Sequence, residues 1–137
     1  MANTDDDELR LLIQKVARRI RANRSDERIS DSQLSVLVEL TRAERTPGEL
    51  AAMERVTPPS MNRTLNGLAS SGLVARTRST DDGRRVVVTI TTEGERLIEE
   101  TRRLRSEWLT HRIAELPPED RAALAAAASA LRKLAES

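Results

Sequence analysis

The sequence predicts a mainly α-helical chain with one small β-hairpin, an α+β class. Three observations lead there. Apolar residues recur at helical spacing over most of the 137 residues. Helix-start and helix-stop signals punctuate those stripes at short intervals. After Gly72 the period changes once, to strand-like alternation around an Asp-Gly turn.

The elements follow in order. Leu9, Leu12, Ile13, Val16, Ala17 and Ile20 fall on one helical face with arginines between them. The tract Asp5-Asp6-Asp7-Glu8 before them suits a helix N-terminus and is otherwise a solvated charge cluster. Ser30 with Gln33 forms a capping box, and Leu34, Leu37, Val38 and Thr41 make the stripe of a second helix ending near Arg42. Thr46-Pro47-Gly48-Glu49 joins a capping threonine, a first-position proline and a reciprocating glutamate, with Leu50, Ala51 and Met53 available for burial behind it. This third helix is short, because Pro58 lacks an N–H and disfavours helix at Thr57. Thr57 then caps a fourth helix with Met61, Leu65 and Leu68 on its inner face and Ser71-Gly72 as its stop.

Residues 73–78 and 85–90, rich in β-branched and apolar side chains, are the two strands, and Asp82-Gly83 marks the turn between them. Thr91 caps a long helix whose apolar positions are Leu97, Ile98, Leu104, Trp108, Leu109 and Ile113. Running to about Glu115 it spans about 36 Å, and a one-sided helix of that length needs a partner surface. Leu116-Pro117-Pro118 breaks it and starts the last helix, through Leu124, the alanines 125–128, Ala130, Leu131 and Leu134, whose small residues allow close packing.

Composition removes several function classes. The chain has no cysteine, which excludes disulfides, zinc-thiolate sites and thiol redox switching, and its lone histidine, His111, reads as a surface or interface residue. Catalytic dyads and glycine-rich phosphate loops are missing, so the chain is not read as an enzyme, and no cofactor or metal is expected. No apolar run of about 18 residues exists and the N-terminus is acidic, so the expected location is the cytoplasm, with no membrane contact. Apolar residues at 38% and charged residues at 33% are lean for a monomer and suit a helical chain that completes its core against a second copy.

The net charge of +1 conceals an uneven distribution: between residues 55 and 90, Arg55, Arg63, Arg76, Arg78, Arg84 and Arg85 stand against Asp81 and Asp82, a local +4. That is a phosphate-binding footprint. With no Phe or Tyr, and with Trp108 read as packing, there is no stacking platform for single strands, so duplex DNA is the expected partner.

Helix, short turn, helix, hairpin over residues 46–90 is the order of a winged helix-turn-helix, in which the second helix enters the major groove and the hairpin reaches the neighbouring backbone or minor groove. With Met61, Leu65 and Leu68 inward, the outward set is Pro59, Ser60, Asn62, Arg63, Asn66 and Gly67. Ser60, Asn62 and Arg63 carry groups that read bases, since Asn pairs with adenine and Arg with guanine, while Thr57 and Asn66 suit phosphates. The hairpin adds Arg78, Asp82, Arg84 and Arg85. A winged helix can also serve as a protein-interaction module without specific DNA binding; salt dependence separates the two readings.

Leu50-Ala51, the segment from Val56 to Val74, and the pattern Asp82, Arg84, Thr91, Gly94 give the chain, over essentially its whole length, a resemblance to the MarR family of bacterial regulators. The resemblance implies a homodimer on a pseudopalindromic operator, acting as a transcriptional repressor, with Arg84 in a minor groove and Asp82 holding it in place. It also implies one domain over 1–137, with a DNA-binding part at 30–91 and a helical dimerisation part at 1–29 and 92–137. Many such proteins are released from DNA by a small anionic or phenolic effector; no motif here identifies residues for one.

Overall fold

The computed structural model describes residues 5–78 and 85–137. Helices α1 (Asp6–Arg21), α2 (Asp31–Arg42), α3 (Pro47–Glu54) and α4 (Pro58–Ser70) precede strands β1 (Val74–Arg78) and β2 (Val86–Ile90), and α5 (Thr92–Ala114) and α6 (Pro118–Ala135) follow. The expected starts are made by short-range chemistry. Capping boxes at Ser30/Gln33 and Thr46/Glu49 open α2 and α3, and the Thr57 side chain accepts the Ser60 N–H to open α4. Thr91 does the same for α5, accepting the Gly94 N–H at 3.1 Å.

The chain forms two compact units. One spans Arg24–Arg103; the other comprises α1, α5 from Leu104 onward, and α6. In the first, Leu37, Leu50, Leu65, Leu68 and Val88 are fully buried, joined by Val36, Leu40, Met61, Leu73, Val74 and Ile98. Each such side chain contributes about 1.5–3 kcal/mol by leaving water. Of the stripe expected on α2, Leu34 and Leu37 are buried, Val38 is half-buried and Thr41 is exposed, turned back to the Val38 carbonyl, while Val36 and Leu40 are buried in addition. The reason is that α2 packs against α3, α4 and β2 together, so it buries a wider face than one stripe. Met53, expected as core, is 43% exposed, because α3 ends one residue later and buries Leu50 and Ala51 instead.

The strands pair antiparallel, Val74 with Ile90 through to Arg78 with Val86. A further bridge was not foreseen: Arg45 exchanges two backbone hydrogen bonds with Val88, at 3.2 and 2.7 Å, so the segment before α3 lies along β2. In the second unit α1 and α6 bury no side chain fully. Arg105 donates to the carbonyls of Arg21 and Asn23, closing the end of α1, and Trp108 lies beneath the guanidinium groups of Arg19 and Arg112, each 5.6 Å from its ring centre.

Candidate nucleic-acid interface

Helix α4 is built to present one face. Thr57 caps it, and Pro58 and Pro59 occupy its first turn, where missing N–H groups leave no helical bond unmade. Met61, Leu65 and Leu68 fix the inner side. At 100° per residue Pro59, Asn62, Arg63 and Asn66 fall within an arc of about 100° opposite that core, and all four are exposed. Two expected members stand aside. Ser60 is half-buried, with its carbonyl accepting the Thr64 hydroxyl, and Gly67 is half-buried against Gln33 of α2, where a Cβ would lie 2.8 Å from the amide nitrogen. Thr57 is exposed, but its hydroxyl oxygen is committed to the Ser60 N–H.

The turn before α4 has a feature the sequence did not advertise. Arg55 sits in the left-handed region at φ 55°, ψ 46°, its N–H directed to the end of α3. A non-glycine residue there costs on the order of 1 kcal/mol and ends α3 two residues before the Thr57 cap of α4. No acidic residue lies on α4, so the positive end of its dipole and Arg63 act together on any anion in front of them. Among the described residues Arg63 makes no ion pair.

The hairpin is fastened to the far end of this helix. Gly72, at φ 75°, turns the chain, Leu73 N–H bonds to the Leu68 carbonyl at 2.9 Å, and the Thr91 hydroxyl donates to the Gly72 carbonyl at 2.6 Å. Arg76 and Arg78 on β1 are exposed. Asp82 and Arg84 lie outside the described residues. Arg85, also expected at the DNA, has an acidic partner that the sequence did not signal: its Nη2 meets Glu49 Oε1 at 2.9 Å. Hydrogen bonds from the Thr46 hydroxyl and backbone N–H, and then the Arg85 guanidinium, hold the Glu49 carboxyl below the usual glutamate range. The pair joins residues 36 apart, which no local pattern signals.

Known proteins are similar to this chain in sequence and fold. The MarR family, as a sequence profile, matches residues 29–85. An HTH-type transcriptional regulator of Mycobacterium tuberculosis is 38% identical over 130 residues, 94% of this chain and 91% of the relative. A transcriptional regulator protein from Pseudomonas aeruginosa PA01, 34% identical, superposes with a TM-score of 0.83 over 96% of this chain and 94% of that one. A mutant of MarR from E. coli, 28% identical, gives a TM-score of 0.72 over 92% of each chain.

Proposed function

The chain belongs to the MarR family of winged helix-turn-helix transcriptional regulators, and we propose that it acts as a homodimeric repressor gripping a pseudopalindromic operator with two winged motifs. The observation that carries this reading is the face of α4: Asn62, Arg63 and Asn66 stand together, exposed and free of acidic neighbours on the helix, opposite a side pinned by Met61, Leu65 and Leu68. Asn62 and Arg63 are the base-reading residues; Thr57, Pro59, Ser60 and Asn66 lie at the flanking backbone. On the hairpin, Arg78 lies at the phosphates and Arg84 enters the minor groove with Asp82 beside it.

The dimer reading is supported by what the chain leaves uncovered. Leu9, Leu12, Ile13 and Val16 on α1, and Leu124, Leu131 and Leu134 on α6, are 41–63% exposed. Covering the exposed half of each returns about 1 kcal/mol. Two copies together therefore reach the scale of the roughly 4–15 kcal/mol that association costs. In this reading residues 30–91 are the DNA-binding part and 1–29 with 92–137 the dimerisation part. Release by a small anionic or phenolic effector is the regulation that family membership suggests, and the cytoplasm is its place of work; no helix among the described residues is long and apolar enough to cross a membrane.

Selection from a randomised duplex library, followed by sedimentation of the complex, tests the proposal. A pseudopalindrome carrying two protomers is expected. A library that yields no enriched sequence contradicts it and favours a winged helix that contacts protein.

A further inference from the structure

Around the hairpin, Arg85 is distinguished by where its charge goes. Glu49 Oε1, which it meets at 2.9 Å, also accepts the Thr46 hydroxyl at 3.1 Å and the Thr46 N–H at 3.3 Å. Glu49 Oε2 lies 3.9 Å from Arg45 Nη1, and Arg45 is bonded through its backbone to Val88. One carboxylate therefore touches the cap of α3, the segment leading into it and the residue just before β2. The Arg45–Val88 bridge fixes β2 at its middle, and Glu49–Arg85 holds it again three residues nearer the hairpin's outer end. With the hairpin's base already held at Leu73 and Thr91, the ion pair is the attachment nearest its outer end, where a small change of angle moves the tip most.

We infer that Glu49 and Arg85 form a positioning pair that sets the direction in which the hairpin leaves the helix-turn-helix, so that Arg85 supports DNA binding through Glu49 rather than by touching a phosphate. The inference rests on the chain's binding duplex DNA. An arginine that turned to a phosphate would strip Glu49 of this partner and leave its negative charge beside the DNA. Exposed ion pairs contribute little to folding, and these side chains are 57% and 41% exposed, so the pair's effect lies in orientation.

The test measures binding of wild type, Arg85→Ala, Glu49→Gln and the double variant to the duplex that wild type enriches from a randomised library, and to a scrambled duplex, over a salt series. Gln keeps the capping box and removes the charge. Each single variant is expected to weaken the selected duplex about two- to fivefold, the double variant no more than either. Binding to the scrambled duplex and the salt slope stay as in wild type. Lost folded protein would lower both duplexes alike. A fall in slope of about 0.9 for Arg85→Ala, or tighter binding by Glu49→Gln, overturns the inference, because both mark a phosphate contact. If wild type enriches no duplex, the DNA reading fails, and the pair is judged in the free protein. There Glu49→Gln speeds hydrogen exchange at the Val87 amide, which faces β1 opposite Thr77, more than at the Thr89 amide nearer the hairpin's base; unchanged exchange refutes the pair.

Discussion

Replacing Gly94 with alanine puts a methyl group where the chain has no room. A Cβ at Gly94 would meet the Leu73 carbonyl oxygen well inside van der Waals contact and lie 2.7 Å from Ile90 Cγ1. The carbonyl cannot retreat freely: it accepts the Thr91 N–H at 3.1 Å, and Leu73 is 6% exposed in the core. Overpacking costs about 1–3 kcal/mol, and an obstacle made of backbone places Gly94→Ala toward the top, at about 2–3 kcal/mol. Gly48 is the contrast. Its Cβ would meet nothing nearer than Thr46 Oγ1 at 3.9 Å, so Gly48→Ala leaves stability unchanged or raises it by up to about 1 kcal/mol. Gly67→Ala falls between, at about 1 kcal/mol, because the atom 2.8 Å away is the movable end of Gln33, whose displacement strains the capping box with Ser30. Urea unfolding followed by circular dichroism, at one protomer concentration, measures all three. The reasoning is refuted if Gly94→Ala lies within about 0.5 kcal/mol of wild type, or if Gly48→Ala costs as much.

Glu49 has a lowered carboxyl pKa in the folded chain, so its contribution to stability is present above the ordinary glutamate value and is lost as pH falls through the lower folded one. The difference in urea midpoint between wild type and Glu49→Gln is therefore expected to be open near neutrality and to close below about pH 4; a difference that persists unchanged in acid counts against this. Asp26, lowered by its hydrogen bonds from Arg28, follows the same sign. Leu12→Glu and Leu131→Glu, on the uncovered faces of α1 and α6, are expected to convert a sedimenting dimer to monomer, and dimers that persist in both would remove those faces from the interface.

Much of the fold is legible because the chemistry that makes it is local. The caps at Ser30, Thr46, Thr57 and Thr91 depend on partners three residues away, and the inner side of α4 depends on one helical period. What escaped depends on contacts far along the chain or on a single residue. Val36 and Leu40 are buried by three elements packing on α2, which a one-stripe reading cannot see. The bridge at Arg45 is one residue long and leaves no alternation to detect. Arg55 takes a backbone conformation that glycine favours, without glycine's signal. On the candidate interface, Asn62, Arg63 and Asn66 were readable from the period, whereas the commitment of Arg85 to Glu49 was not, because sequence counts the charge of an arginine and not its direction. The Thr91-x-x-Gly94 pattern acquires a physical cause: the fourth residue must pass the Leu73 carbonyl.

The central claim is that the exposed face of α4 reads duplex DNA. Its most direct test is fluorescence anisotropy of wild type, Asn62→Ala and Arg63→Ala against the selected duplex and a scrambled control over a salt series. Wild type is expected to prefer the selected duplex, with affinity falling steeply with salt, and each substitution is expected to cost about 1–3 kcal/mol on the selected duplex and much less on the control. Equal, weak binding of all three proteins to both duplexes would contradict it.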